Sequence, residues 1–142
     1  MIPTIDVIQV EHRVLSQVFS ELELFIPKLT DIQNVNELAK MVNRLISNHG
    51  ATEDDFVYSV LNFTFEEKAH LAVMTQEHQE LNGQLEVALS AKSLEAAQKA
   101  LIAALVYSRA HFEHEEHSVF PMMETHLKNQ EIGHLGALAL MR

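Results

Sequence analysis

Residues 38–56 read LAKMVNRLISNHGATEDDF, and whether this stretch is a strand or a helix decides the fold. Leu38, Val42, Leu45, His49, Thr52 or Glu53, Phe56, Val60 and Phe63 recur at steps of three and four, the period of one buried helix face and not of a strand. Asn34, with Glu37 three residues on, is the expected N-cap with its returning carboxylate, and Asn62-Phe63-Thr64 the expected end. The anomaly lies inside the seam, where a His and a Glu one turn apart occupy positions that should be apolar.

The same period appears three more times. Upstream, Ile5, Ile8, His12, Leu15, Phe19, Leu22 and Ile26 form a seam that Pro27 closes. Downstream, Leu71, Met74, His78, Leu81, Leu85 and Ala88 precede the polar break Ser90-Ala91-Lys92-Ser93, where Ser93 can cap the next helix. The fourth seam is Ala97, Leu101, Ala104, Ser108, His111, Glu115, Ser118 and Met122. Nothing alternates as a strand would. The expected fold is all-α, an up-down-up-down four-helix bundle over about residues 4–127. It forms a single domain spanning residues 1–142, with a short apolar extension or contact surface at 128–142.

Composition narrows the partners. Cysteine is absent, so thiolate metal sites and disulfides are excluded and any metal must take His, Asp, Glu or backbone oxygen. A net charge of -10 has the wrong sign for holding a phosphate backbone, which argues against nucleic acid. The start carries no basic segment followed by an apolar stretch, and the apolar run from Ala100 to Tyr107 is far shorter than the ~20 residues of a membrane span. A soluble, cytoplasmic protein without a membrane partner is expected. Nine His remain to be explained.

Each helix places one His on its seam. In a bundle of alternating direction, His12 and His49 are symmetric about the first expected loop and His49 and His78 about the second, so they meet at one level. For His78 and His111 the midpoint lies a few residues beyond the break. His49 with Glu53, and His111 with Glu115, are four apart and project from one helix face. The lone His recur in matched contexts, Glu11-His12 and Glu77-His78. With 66 residues between the single His and 62 between the paired ones, the chain reads as a duplicated helix hairpin.

For any one of these residues, a packed core His or the edge of an acidic surface run is the ordinary reading. Together, four imidazoles and two buried carboxylates at one level need a cation. Six ligands would crowd one ion, whereas two ions could each take two His and share both carboxylates. That leaves room for a bridging oxo or hydroxo group and an exchangeable ligand. Iron fits this donor set best, manganese is the lesser candidate, and zinc usually prefers four ligands. The expected ligands are His12, His49, Glu53, His78, His111 and Glu115. His114, Tyr107 and Met74 are candidates for a supporting role near the metal, and His70, His117, His126 and His134 default to the surface.

At these residues the sequence resembles the hemerythrin-like family of His-His-Glu cation-binding domains, in which a lone His and a His-x-x-x-Glu alternate twice along successive helices. The resemblance covers about Thr4 to Thr125 and implies a non-haem centre of two irons. The oxygen-carrying members have a fifth His on the third helix, four residues from its neighbour. Here the positions one turn either side of His78 are Met74 and Asn82. Their last carboxylate is also an Asp one residue further on, where this chain has Glu115. These two departures set the chain apart from the oxygen carriers and make it more similar to relatives used in iron or oxygen sensing, peroxide or nitric oxide handling and iron-centre repair. The leading expectation is a protein that engages oxygen or another diatomic, in sensing, storage or delivery. The alternatives are an oxidoreductase consuming peroxide or nitric oxide at the same irons, and a metal-free helical interaction protein. A homodimer through the apolar tail Leu135 to Met141 is a further expectation.

Overall fold

In a computed structural model, which describes residues 4–140 and side chains as far as Glu131, every regular element is helical. Thr4 caps α1 (Ile5–Phe25) by accepting the Val7 N–H at 3.4 Å, and a 3-10 turn around Pro27 ends it. The second helix, α2 (Ile32–Ser59), is followed by α3 (Phe65–Ser90) and α4 (Leu94–His114). A five-residue π-helical turn, Glu115–Val119, then leads without a break into α5 (Phe120–Leu140), so α4 and α5 form one rod. The rods pack as a helical bundle, and none of the described helices is long and apolar enough to cross a membrane. The C-terminal extension continues the fourth rod; the side chains of Leu135 to Met141 and of His134 lie outside the described residues.

Two boundaries differ from the sequence reading. Asp31, not Asn34, caps α2 by accepting the Gln33 N–H at 2.9 Å, and Glu37 pairs instead with Lys40 at 3.1 Å. Starting there puts Val35 on the buried face, and the fully buried upper half of α2 becomes Val35, Ala39, Val42 and Ile46. Leu38 and Leu45 pack on its flank, half-buried. The α2 helix ends at Ser59 because Asn62 turns the chain through a left-handed backbone (φ 64°), a conformation Asn tolerates better than most residues. Thr64 and Glu67 then start α3 with a reciprocal capping box, Thr64 N–H to Glu67 Oε1 at 2.7 Å and Glu67 N–H to Thr64 Oγ1 at 3.2 Å.

The π turn corrects the fourth seam. It inserts one extra residue into the helix, with the Phe120 N–H donating to the Glu115 carbonyl five residues back. The face expected of Ser118 and Met122 therefore passes to Val119 and Met123, which are fully buried.

Apolar side chains gather in two clusters. The upper one is built around Phe19, Val35, Val42, Leu85, Leu101 and Leu105. Truncating Phe19, which is wholly buried, would cost about 3–5 kcal/mol. The lower one holds Ile5, Ile8, Phe56, Met74, Phe120 and Met123. Along each rod the seam His and Glu fall between the residues of these clusters, so a polar layer crosses the core at one level.

Candidate metal centre

Helical spacing alone aims six side chains into that layer. His12 comes from α1, His49 and Glu53 from α2, His78 from α3, His111 from α4, and Glu115 from the first position of the π turn. Their donor atoms form two overlapping groups, His12 with His49, Glu53 and Glu115, and His78 with His111 and the same two Glu; within each, one donor atom per residue lies inside 4.8 Å of the others. The carboxylates occupy the centre. Glu53 Oε1 lies 3.5 Å from His12 Nε2 and in close contact with His49 Nε2, while its Oε2 faces His78 Nε2 at 3.8 Å. Glu115 Oε1 is 3.4 Å from His12 Nε2 and 3.0 Å from His111 Nε2, and its Oε2 is 3.9 Å from His78 Nε2.

These atoms converge without satisfying one another. Nε2 of His12, His49 and His111 and both oxygens of Glu53 and Glu115 are buried, and none makes a well-directed hydrogen bond despite the short separations. Lone pairs that crowd a common point but miss each other's hydrogen-bond directions are what a cation would satisfy, and leaving so many buried polar atoms unpaired is otherwise disfavoured. The donors, imidazole nitrogen and carboxylate oxygen, suit iron and manganese. The residues present therefore fit a pair of such ions.

The charges of the protein groups are strongly split. Burial raises the Glu53 carboxyl, but the close approach of the Glu115 carboxyl and of the His12 and His49 imidazoles outweighs it and holds Glu53 well below the usual carboxylate range. Glu115 is pushed well up by burial and by the adjacent Glu53. Burial and the neighbouring His78 depress His111 to about 4, whereas His49 is raised because Glu53 and Glu11 overcome its burial. Two carboxylates at this distance cannot both carry full charge in a low-dielectric site without a compensating cation.

Around this set lies a layer of acids whose role the sequence reading missed. Glu11 Oε2 accepts from His49 Nδ1 at 2.6 Å, and Glu116 Oε1 accepts from His12 Nδ1 at 2.9 Å. Glu77 receives His114 Nδ1 at 2.5 Å through Oε1 and approaches His111 Nδ1 at 3.6 Å with Oε2. Glu11 and Glu77 thus each serve a His on the next helix, the same relation in both halves of the repeat. The signal was visible as the Glu preceding each lone His, but its target lies across a helix interface. Such carboxylates orient an imidazole and make its free nitrogen more basic. Phe112, also missed, stacks on His12 with ring centres 4.4 Å apart.

The remaining candidates separate. His114 is tied to Glu77, one step out from the central atoms. Tyr107 packs against the upper cluster and is raised by burial and by Glu77 and Glu80, facing the acids of α3 and not the donor cluster. Met74 belongs to the lower cluster. Asn82, one turn the other way, lines a recess of ≈ 240 Å³ between α2 and α3 that reaches His78, His111, His49 and Glu53. His70 and His117 are exposed. His126 is a correction: it is buried, its Nδ1 lies 3.0 Å from both Glu67 oxygens and its Nε2 2.9 Å from the Leu61 carbonyl, with Phe63 stacked on the ring. The extra residue of the π turn carries it onto the buried face that regular helix geometry assigns to Thr125.

A helical bundle with a buried layer of His and Glu defines a cation-binding protein, one whose cluster could hold a metal. The model of the hemerythrin HHE cation-binding domain matches residues 4–91 and 71–138, and the chain belongs to that family. No curated protein and no solved structure gives a match.

Proposed function

We propose that this chain is a non-haem di-iron protein that engages oxygen or another small diatomic for sensing, storage or delivery. The observation that carries the reading is the pair of donor groups sharing Glu53 and Glu115. On this reading His12 and His49 would hold one ion and His78 and His111 the other, with Glu53 and Glu115 available to both, in an up-down-up-down bundle. That course is supported by the lower cluster, which joins the first turns of α1 and α3 to the last turns of α2 and to the fourth rod beyond the π turn. When bound, the irons supply a redox-active Lewis acid able to take a small ligand. The protein's own part would be to fix four imidazoles and neutralise two cations with Glu53 and Glu115.

The recess beside His78 favours a second reading, turnover of peroxide or nitric oxide, because it gives solvent a path to one side of the centre. Metal analysis of protein loaded under reducing conditions should give about two irons per chain, the stoichiometry of two shared carboxylates and two His per ion. Stable binding of oxygen or nitric oxide without steady consumption supports the first reading, and sustained turnover the second. A loaded protein that stays at one iron or none contradicts both.

A further inference from the structure

Gly50 lies in the interior of α2, directly after His49. Glycine there weakens a helix relative to alanine, and the usual reasons for accepting that are a left-handed backbone or a close neighbour. Neither applies: its φ is not positive, and a Cβ added to it meets no atom within 4 Å. The space a side chain would take is the recess that leads to His78 and His111. At ≈ 240 Å³ that recess is several times the roughly 30 Å³ share of one water, far more than a diatomic needs. Ser47 and Ala51, beside Gly50 on the same wall, are also small. No Lys or Arg lines it; its free charged group is Asp54, which disfavours anions over uncharged molecules.

We propose that Gly50 sets the size of a ligand recess, which admits compact uncharged molecules of about five or six heavy atoms to the His78–His111 side of the centre. The inference rests on reading the cluster as a metal centre, and the test keeps the two apart. Iron-loaded protein would be titrated with nitric oxide and with pyrazole, an uncharged five-membered ring that can donate nitrogen to a metal. Iron content and Tm are measured on the same samples. The native protein should bind both. Gly50→Leu should keep its iron and its nitric oxide affinity within about twofold, yet lose at least about tenfold in pyrazole affinity, the scale on which a filled pocket discriminates.

Gly83 provides the control, because a Cβ there also meets nothing within 4 Å while its surroundings, Glu86 and Val87 among them, belong to a different depression. Gly50→Ala and Gly83→Ala should each raise Tm by about 2–4 °C through helix propensity. Only the first should weaken pyrazole, which keeps the test open if Gly50→Leu folds poorly. Native protein that binds nitric oxide but not pyrazole, or Gly50 variants that bind pyrazole as the native protein does, would overturn the inference while leaving the metal centre standing. Protein that takes up no iron overturns the metal reading and the inference with it.

Discussion

On one side of the shared carboxylates, His12 and His49 have side chains 3% and 5% exposed; on the other, His111 is as deeply buried at 1%, but His78 is 20% exposed. The first pair is clamped from behind by Glu116 and Glu11 at 2.9 and 2.6 Å. On the second side Glu77 Oε2 stands 3.6 Å from His111, the other oxygen being taken by His114. Among the described residues no hydrogen bond fixes Nδ1 of His78. The two halves are thus unequal, one held from behind at both imidazoles, the other looser and exposed at His78, where it borders a recess. Iron bound at the first half would be structural in behaviour, and ligand exchange would belong to the second.

The sharpest way to break this comparison is to remove what the halves share. Glu53→Ala or Glu115→Ala should drop iron content from about two per chain toward none and lower Tm markedly, since a lost bridge leaves both sites undercompensated. His70→Ala, at an exposed position, should change neither. Atomic absorption and thermal melts on the three variants check this, and equal losses across them would mean the centre is misplaced.

The outer acids sharpen it next. Glu11→Gln should weaken iron retention about 10–100-fold against a competing chelator, because the negative charge that strengthens the short hydrogen bond to His49 is lost. Glu77→Gln, acting on His111 from 3.6 Å, should weaken it less and should chiefly speed exchange of the ligand-facing ion. A larger effect at Glu77 than at Glu11 would reverse the assignment of held and looser halves.

Asn82 tests the open side alone. With Met74 packed into the lower cluster, Asn82 is the neighbour of His78 that faces the recess, so Asn82→His should add an imidazole there. Nitric oxide affinity should fall by at least about tenfold, as the new ligand must leave first, with iron content unchanged. Spectroscopic titration of both proteins measures it.

How far the sequence carries this picture differs along the chain. The period of the four seams places His12, His49, Glu53, His78 and His111 at one level, because regular helices convert spacing into position without knowledge of neighbours. Glu115 is legible for the same reason, being still one regular turn from His111. Beyond it, a π turn leaves no mark in the composition of Glu115–Val119, and the register of everything downstream slips by one residue. That is why His126 reads as a surface residue and is buried. The roles of Glu11, Glu77 and Glu116 were hidden differently, since each acts across a helix interface, where spacing along one chain segment says nothing about reach. Asn34 reads as the cap of α2 from its residue type and the Glu three residues on, but Asp31 is equally suited to cap a helix, and starting there buries Val35.

The smallest effect concerns the clamp far from the metal. The Thr64 backbone N–H, the Thr64 hydroxyl and the nearby His126 hold the Glu67 carboxyl below its usual range against a modest opposing effect of burial. A carboxyl lowered on folding contributes stability that is present above its unfolded value and is lost as the pH falls through its folded value. Glu67→Gln should therefore lower Tm by a few degrees, on the order of one lost cap, at pH 7, and the gap should close in acid. Iron content should not move. Melts across pH 3 to 7 would check it, and a gap that persists in acid would remove the charge from the explanation.

Anomalous scattering at the iron edge, from crystals of iron-loaded protein soaked with nitric oxide, bears most directly on the unequal halves. The account predicts two iron peaks bridged by Glu53 and Glu115, one on His12 and His49 and one on His78 and His111, with nitric oxide only on the second. A single peak, or a ligand seated on the His12 side, would contradict it.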